Sequence, residues 1–191
     1  MQLQQGYESD TLKSYMRFTV LIVDLVFLFP PIYLLSSMFQ KKLPQIFLLM
    51  VLLRPDLILI DHGHFQYNSL ILGLILMAFY CLLTQRYYMT CLLFTIAIHA
   101  KLMATYYCLA FLAGLVGVTY QKYKFKKSIV LAELAKYGCI VIGTSLIIWA
   151  PWLTSVSNLQ TVLTAIFPVH RGLYQLKVQN FWCITDTLLN W

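Results

Sequence analysis

Apolar residues in this chain come in long runs separated by short polar clusters, a pattern that matches neither strand alternation nor a single amphipathic stripe. Six runs stand out, over residues 18–38, 43–60, 70–84, 90–104, 106–120 and 137–153. A helix of about 20 residues crosses the roughly 30 Å of bilayer hydrocarbon, so each run is predicted as a transmembrane or re-entrant helix. The fourth and fifth join without a polar gap. Together they are too long for one crossing and barely enough for two, which predicts a tight helical hairpin turning near residues 104–106. Residues 1–14 are polar, and the first run starts too late to be a cleaved signal peptide. The predicted fold is an all-α polytopic membrane protein with about six transmembrane or re-entrant helices.

Composition sharpens this picture. Of 191 residues, 60% are apolar and 11% are charged, against about 45–50% and about 25% in soluble domains. A water-soluble globule is excluded, and so is a disordered chain. The net charge of +7 sits in short clusters between apolar runs. It therefore reads as membrane orientation and not as a nucleic-acid surface. Of five cysteines, Cys81, Cys91, Cys108 and Cys139 lie inside apolar runs, which argues against a disulfide framework.

Counting basic residues by loop gives two faces. One carries Lys41, Lys42, Arg86, Lys122, Lys124, Lys126, Lys127 and Lys136; the other carries Lys13, Arg17, Arg171 and Lys177. The richer face is cytosolic by the positive-inside rule. The loop Asp61–Asn68 and the tail from residue 154 then share the opposite face.

Three polar constellations are candidates for chemistry. The first is Asp61-His62-Gly63-His64-Phe65-Gln66-Tyr67-Asn68 between two apolar runs, with one glycine to let the backbone turn. It reads as a polar turn that caps its own helix ends, or as a binding site, since ionisable residues at membrane depth are costly. A zinc site would want four ligands, and no cysteine pair joins in. The second is Pro168-Val169-His170-Arg171-Gly172-Leu173-Tyr174 with Lys177. It suits an anionic group gripped by guanidinium, and equally an interfacial segment with aromatic residues at the headgroups. The third is His99-Ala100-Lys101. Lys101 either snorkels to the headgroups or partners a lipid-linked phosphate. Asp24, Arg54 and Asp56 fall inside apolar runs and need partners that the sequence does not identify.

Histidine, arginine and lysine at a membrane face suit departure of phosphate from a lipid-linked sugar, because a phosphate leaves without a general acid and mainly requires positive charge. The residues that carry a family resemblance are Leu57-Ile58-Leu59-Ile60 with Asp61–Asn68, Gly6-Tyr7-Glu8-Ser9 followed by Met16-Arg17 and Val20–Asp24, and Phe167–Leu173 followed by Lys177-Val178, Asn180 and Phe181-Trp182-Cys183. In order and spacing these motifs resemble the ALG6/ALG8 family of endoplasmic-reticulum glucosyltransferases. Gly63 and the run from Lys177 to Cys183 favour the branch that adds the first glucose.

The resemblance implies part of a GT-C-type membrane domain, organised as a luminal loop over 1–17, a transmembrane domain over 18–153 and a luminal or interfacial segment over 154–191. It implies a hexosyltransferase that moves glucose from dolichyl-phosphate glucose to dolichyl-diphosphate-linked Man9GlcNAc2. The transfer is inverting, gives an α-1,3 linkage, and takes place on the luminal side of the endoplasmic-reticulum membrane. On this reading Asp61, His62, His64, Gln66, Lys101, His170 and Arg171 bind substrate. No metal or cofactor takes part, and the partners are the two lipid-linked substrates and membrane lipid, not nucleic acid. None of these residues is the general base, whose aspartate the resemblance implies upstream of Met1, so the chain reads as an internal part of a longer enzyme. Gln175 and Leu176 replace an acidic pair of the family, and His170 replaces a further acidic position. Two other readings are a non-catalytic fragment that binds lipid or a partner, and a transporter component. Internal duplication would favour the latter, and the sequence shows none.

Overall fold

A computed structural model of the chain describes residues 9–39, 44–124, 126–153 and 155–166. Its regular elements among these residues are all helical. Helix α1 (Asp10–Val23) opens where extended Ser9 accepts a hydrogen bond from the Leu12 N–H at 3.1 Å, with Asp10 in the positive first turn. These capping residues start the helix eight positions before the apolar run, at Asp10 and not at residue 18. The helix continues through a π turn, Asp24–Leu28, into α2 (Phe29–Phe39). There the Phe29 N–H bonds back to the Asp24 carbonyl, five residues away. The widened turn precedes Pro30 and Pro31, which bring no N–H of their own to the helix.

The second predicted run is not one helix. It divides into α3 (Pro44–Leu52), α4 (Pro55–Leu57) and a second π turn, Ile58–Gly63. Pro55 is the cause: it forces the preceding Arg54 into an extended conformation, φ −64° and ψ 125°.

Helices α5 (Asn68–Leu83) and α6 (Tyr87–Ala100) form an antiparallel hairpin. Gln85, at φ 62°, ends α5, and the Arg86 N–H closes the turn on the Cys81 carbonyl at 2.8 Å. The core lies between the hairpin and the next helix, with Ile71, Leu74 and Ala78 against Phe94, Ala97 and Phe111. On its other side α5 touches the first π turn. A β-carbon on Gly73 would stand 2.2 Å from the Phe27 carbonyl oxygen, so only glycine allows the backbones to meet.

The predicted turn near residues 104–106 is a 3₁₀ segment, Leu102–Tyr107, leading into α7 (Cys108–Lys122). Helix α8 (Lys127–Trp149) starts ten residues before the sixth predicted run. Its charged first turns hid it from hydropathy, and Glu133 is accommodated by Lys136 at 2.7 Å and by the Tyr88 hydroxyl at 3.0 Å.

Among the described residues, three helical stretches are long and apolar enough to cross a membrane: Asp10–Met38, Leu102–Lys122 and Lys127–Trp152. Helices α5 and α6 are shorter and apolar. Leu109, Leu131 and Ile147 face outward at 80%, 70% and 76% exposure, as side chains that meet lipid do. This is an all-α membrane protein. The chain divides into two units, residues 1–147 and 148–191. The described part of the second holds a 3₁₀ turn, Ala150–Trp152, and α9 (Val156–Ile166), whose Leu159, Val162 and Leu163 follow one helical face.

Candidate functional site

The direction of the α5–α6 hairpin brings the first residue of α5 and the residue after α6 to the same end. Asn68 and Lys101, 33 positions apart, meet there: the Lys101 ammonium donates to the Asn68 side-chain oxygen. The Asn68 amide nitrogen in turn donates to Asp61 Oδ1 at 2.9 Å and to Gln66 Oε1 at 3.2 Å. Asp61 is 1% exposed, and its Oδ2 accepts the Ser69 backbone N–H at 2.7 Å. The carboxylate thus caps the N-terminus of α5 from the preceding π turn, satisfying a donor that the helix leaves open. Both oxygens of Asp61 are engaged inside the protein. The ammonium of Lys101 stands exposed at the outer end of the same chain of bonds.

A second pair joins the two π turns. His62 Nε2 donates to Asp24 Oδ2 at 2.7 Å, with the two side chains 33% and 14% exposed. Because a carboxylate only accepts, Nε2 carries the proton. Asp24, costly in an apolar run, finds its partner here, although its Oδ1 is buried with no hydrogen bond, as is Ser69 Oγ. Thr19 and Tyr67 share a hydroxyl contact at 3.0 Å, tying α1 to the loop. The backbone turns at Phe65, φ 56°, and not at Gly63, which has no left-handed conformation. A non-glycine residue held there marks a loop shaped by its surroundings.

The structure therefore brings Asp61, His62, Gln66 and Lys101 to one end of the bundle, with His64 exposed in the same loop. His170, Arg171 and Lys177 lie outside the described residues. Sequence reasoning did not assign Asn68 as the hub, Asp24 as the partner of His62, or Ser69 as the capped residue. Asp24 gave a signal, since an acid in an apolar run needs a partner. Asn68 belonged to the polar loop, but its place between Asp61 and Lys101 follows only from the hairpin's geometry. Among the described residues no group of three or more His, Cys, Asp or Glu is placed to hold a metal. Chemically, the end offers toward an anion an exposed ammonium, supported through Asn68 by buried Asp61, and two imidazoles, of which that of His62 is held by Asp24.

A family model described as "ALG6, ALG8 glycosyltransferase family" matches residues 1–191. A Drosophila melanogaster protein named probable dolichyl pyrophosphate Man9GlcNAc2 alpha-1,3-glucosyltransferase is 36% identical over 188 residues, 96% of this chain and 39% of that protein. The Pongo abelii dolichyl pyrophosphate Man9GlcNAc2 alpha-1,3-glucosyltransferase is 38% identical over 194 residues, 99% of this chain and 38% of its own length. The Saccharomyces cerevisiae protein of that name is 35% identical over 202 residues, 100% of this chain and 36% of its own. The chain thus spans 36–39% of the length of these curated relatives.

Proposed function

This chain belongs to the ALG6, ALG8 glycosyltransferase family, and we propose that it supplies the sugar-phosphate-binding end of an α-1,3-glucosyltransferase. The donor is dolichyl-phosphate glucose and the acceptor is dolichyl-diphosphate-linked Man9GlcNAc2, the oligosaccharide in the names of the relatives. The enzyme works in the endoplasmic-reticulum membrane with this end facing the lumen. Sidedness is supported by charge, since Arg86, Lys122, Lys124, Lys126 and Lys127 lie at or beside the turns of the other end.

In an inverting transfer the acceptor hydroxyl attacks the anomeric carbon, the bond from that carbon to the phosphate oxygen breaks, and the phosphate leaves with its lipid. Negative charge grows on the departing phosphate, so a cation fixed beside it lowers the barrier. Lys101 fills that role, His62 and His64 contact the phosphate or sugar, and Gln66 binds sugar hydroxyls. His170 and Arg171 bind substrate as well, as the family resemblance of their motif implies. Asp61 positions the site by holding α5 and Asn68 in register, and Asp24 orients His62. The base that takes the acceptor proton on the opposite face of the sugar is assigned to none of these residues.

The observation that carries this reading is the bonded chain from buried Asp61 through Asn68 to exposed Lys101. It fixes a cation at the end of the bundle where the motif loop lies. The test is photo-crosslinking of a benzophenone-bearing dolichyl-phosphate glucose analogue to the chain in phosphatidylcholine nanodiscs. Labelling is expected on the 61–68 loop or beside Lys101, is displaced by dolichyl-phosphate glucose, and falls at least about tenfold in Lys101→Met, the loss of one charged hydrogen bond. Labelling that Lys101→Met and His62→Ala leave intact would contradict the assignment.

A further inference from the structure

At the end of the helices opposite Lys101, the α5–α6 turn and the α7–α8 turn gather positive charge. Arg86, Lys122, Lys124, Lys126 and Lys127 are all exposed there. Among the described residues Glu133 is the carboxylate in this cluster, and Lys136 and Tyr88 already engage it. Helices α6 and α8 both begin at this end, and neither has an acidic residue in its first turn. A helix N-terminus is itself partly positive, with N–H groups open to an acceptor. Basic side chains beside such termini are disfavoured unless an anion offsets them.

The space for that anion exists. Arg86, Tyr87, Lys122, Tyr123, Tyr137 and Glu133 line a cleft of about 300 Å³, the carboxylate of Glu133 being taken up by Lys136 and Tyr88. Lys122 is held over two of its walls, 5.3 Å from the Tyr87 ring centre and 5.6 Å from that of Tyr123. Deeper along the same three helices is an apolar groove of about 240 Å³. Cys91 lies one turn inside Tyr87, Val141 one turn inside Tyr137, and Leu115 two turns inside Lys122. The groove continues along α6 to Ile98, and its wall residues Leu109 and Leu112 are 80% and 58% exposed. It therefore opens sideways toward acyl chains.

A basic cleft one to two helical turns from an apolar groove on the same helices has the two-part chemistry of one amphiphile. We propose that this face binds a single anionic phospholipid. Its phosphate lies between Arg86 and Lys122 at the N-terminus of α6, and one acyl chain fills the groove. Basic pockets between transmembrane helices take phosphorylated headgroups in this way. The site is separate from the proposed glucosyl transfer, since it shares no residue with the loop 61–68 or with Lys101.

The test uses the purified chain in neutral detergent, titrated with phosphatidic acid, with phosphatidylcholine of the same acyl chains, and with inorganic phosphate. Native mass spectrometry reads the retained lipid. One phosphatidic acid molecule is expected to be retained in preference to phosphatidylcholine. Arg86→Gln and Lys122→Gln, at exposed positions, each weaken it about fivefold, as one charge at a membrane surface is worth. Arg17→Gln, at the other end, leaves retention unchanged. Leu112→Trp, which narrows the groove, lowers retention without altering charge. Equal retention of the two lipids, or retention indifferent to Arg86→Gln and Lys122→Gln, would overturn the proposal. Inorganic phosphate binding as tightly as phosphatidic acid would also overturn it, by showing a site for a soluble anion.

Discussion

Asp61, a candidate substrate-binding residue, is held by partners within the protein. It is 1% exposed, and its two oxygens accept from Asn68 and from the Ser69 N–H. Removing it leaves two donors without acceptors, at about 1–3 kcal/mol for each that stays buried. Asp61→Ala is therefore expected to lower the unfolding midpoint of the chain in detergent and to free Lys101 from its support. Asp61→Asn keeps one acceptor oxygen and has the smaller effect. Thermal unfolding followed by circular dichroism checks this, and a midpoint unchanged in Asp61→Ala would show that the cap does not hold α5. Lys101 differs in that its ammonium is exposed, and His62 lies between, partly exposed and bonded to Asp24. The loop thus separates residues that shape the site from residues that face outward, a division that side-chain type alone does not reveal.

At the level of elements, Gly73 of α5 lies directly against the backbone of the π turn Asp24–Leu28. A methyl group at Gly73 would meet the Phe27 carbonyl carbon at 2.5 Å as well as its oxygen. Both are backbone atoms and cannot rotate away. Gly73→Ala is expected to cost about 1–3 kcal/mol through overpacking. Gly117→Ala, with nothing within 4 Å, is expected to be neutral or to gain up to about 1 kcal/mol of helix propensity. Unfolding in detergent compares the two, and equal midpoints would contradict the close contact.

Much of this level was legible in the chain. The six apolar runs correspond to helical segments, and the expected hairpin turn lies within Leu102–Tyr107. What was not legible has physical causes. Hydropathy does not register the Ser9 cap that starts α1, and it averages over the break at Arg54 that Pro55 imposes. It also rejects the charged opening of α8, whose Glu133 is paired with Lys136 one turn on and takes a hydrogen bond from Tyr88 of a neighbouring helix. The site was legible as a loop but not as a network, because Asp24, Asn68 and Lys101 meet only once helices reverse direction.

For the molecule as a whole, the first unit has two chemically distinct ends. One holds the loop 61–68 with Lys101, and the other holds Arg86 and the lysines from 122 to 127. Acceptor sites for N-glycosylation inserted beside His64 and, separately, beside Lys124 read their sides directly. The first is expected to be glycosylated in microsomes and the second is not. Glycosylation of both, or of the Lys124 site alone, would contradict the orientation. Since the chain spans 36–39% of its relatives' length, the activity itself is best read in a full-length member of the family.

The most direct measurement is the rate of glucose transfer from dolichyl-phosphate glucose to Man9GlcNAc2-lipid by the Saccharomyces cerevisiae relative. The assay carries replacements at the positions equivalent to Lys101 and His62. If these residues stabilise the departing phosphate, the Lys101→Met equivalent loses about 100-fold or more, as removal of a transition-state donor does. The Lys101→Arg equivalent recovers part of the rate, and the His62→Ala equivalent falls with membrane insertion unchanged. Transfer within about twofold of the unmodified enzyme for both Lys101→Met and His62→Ala equivalents, well short of what a lost transition-state donor costs, would contradict a phosphate-binding role for this end of the bundle.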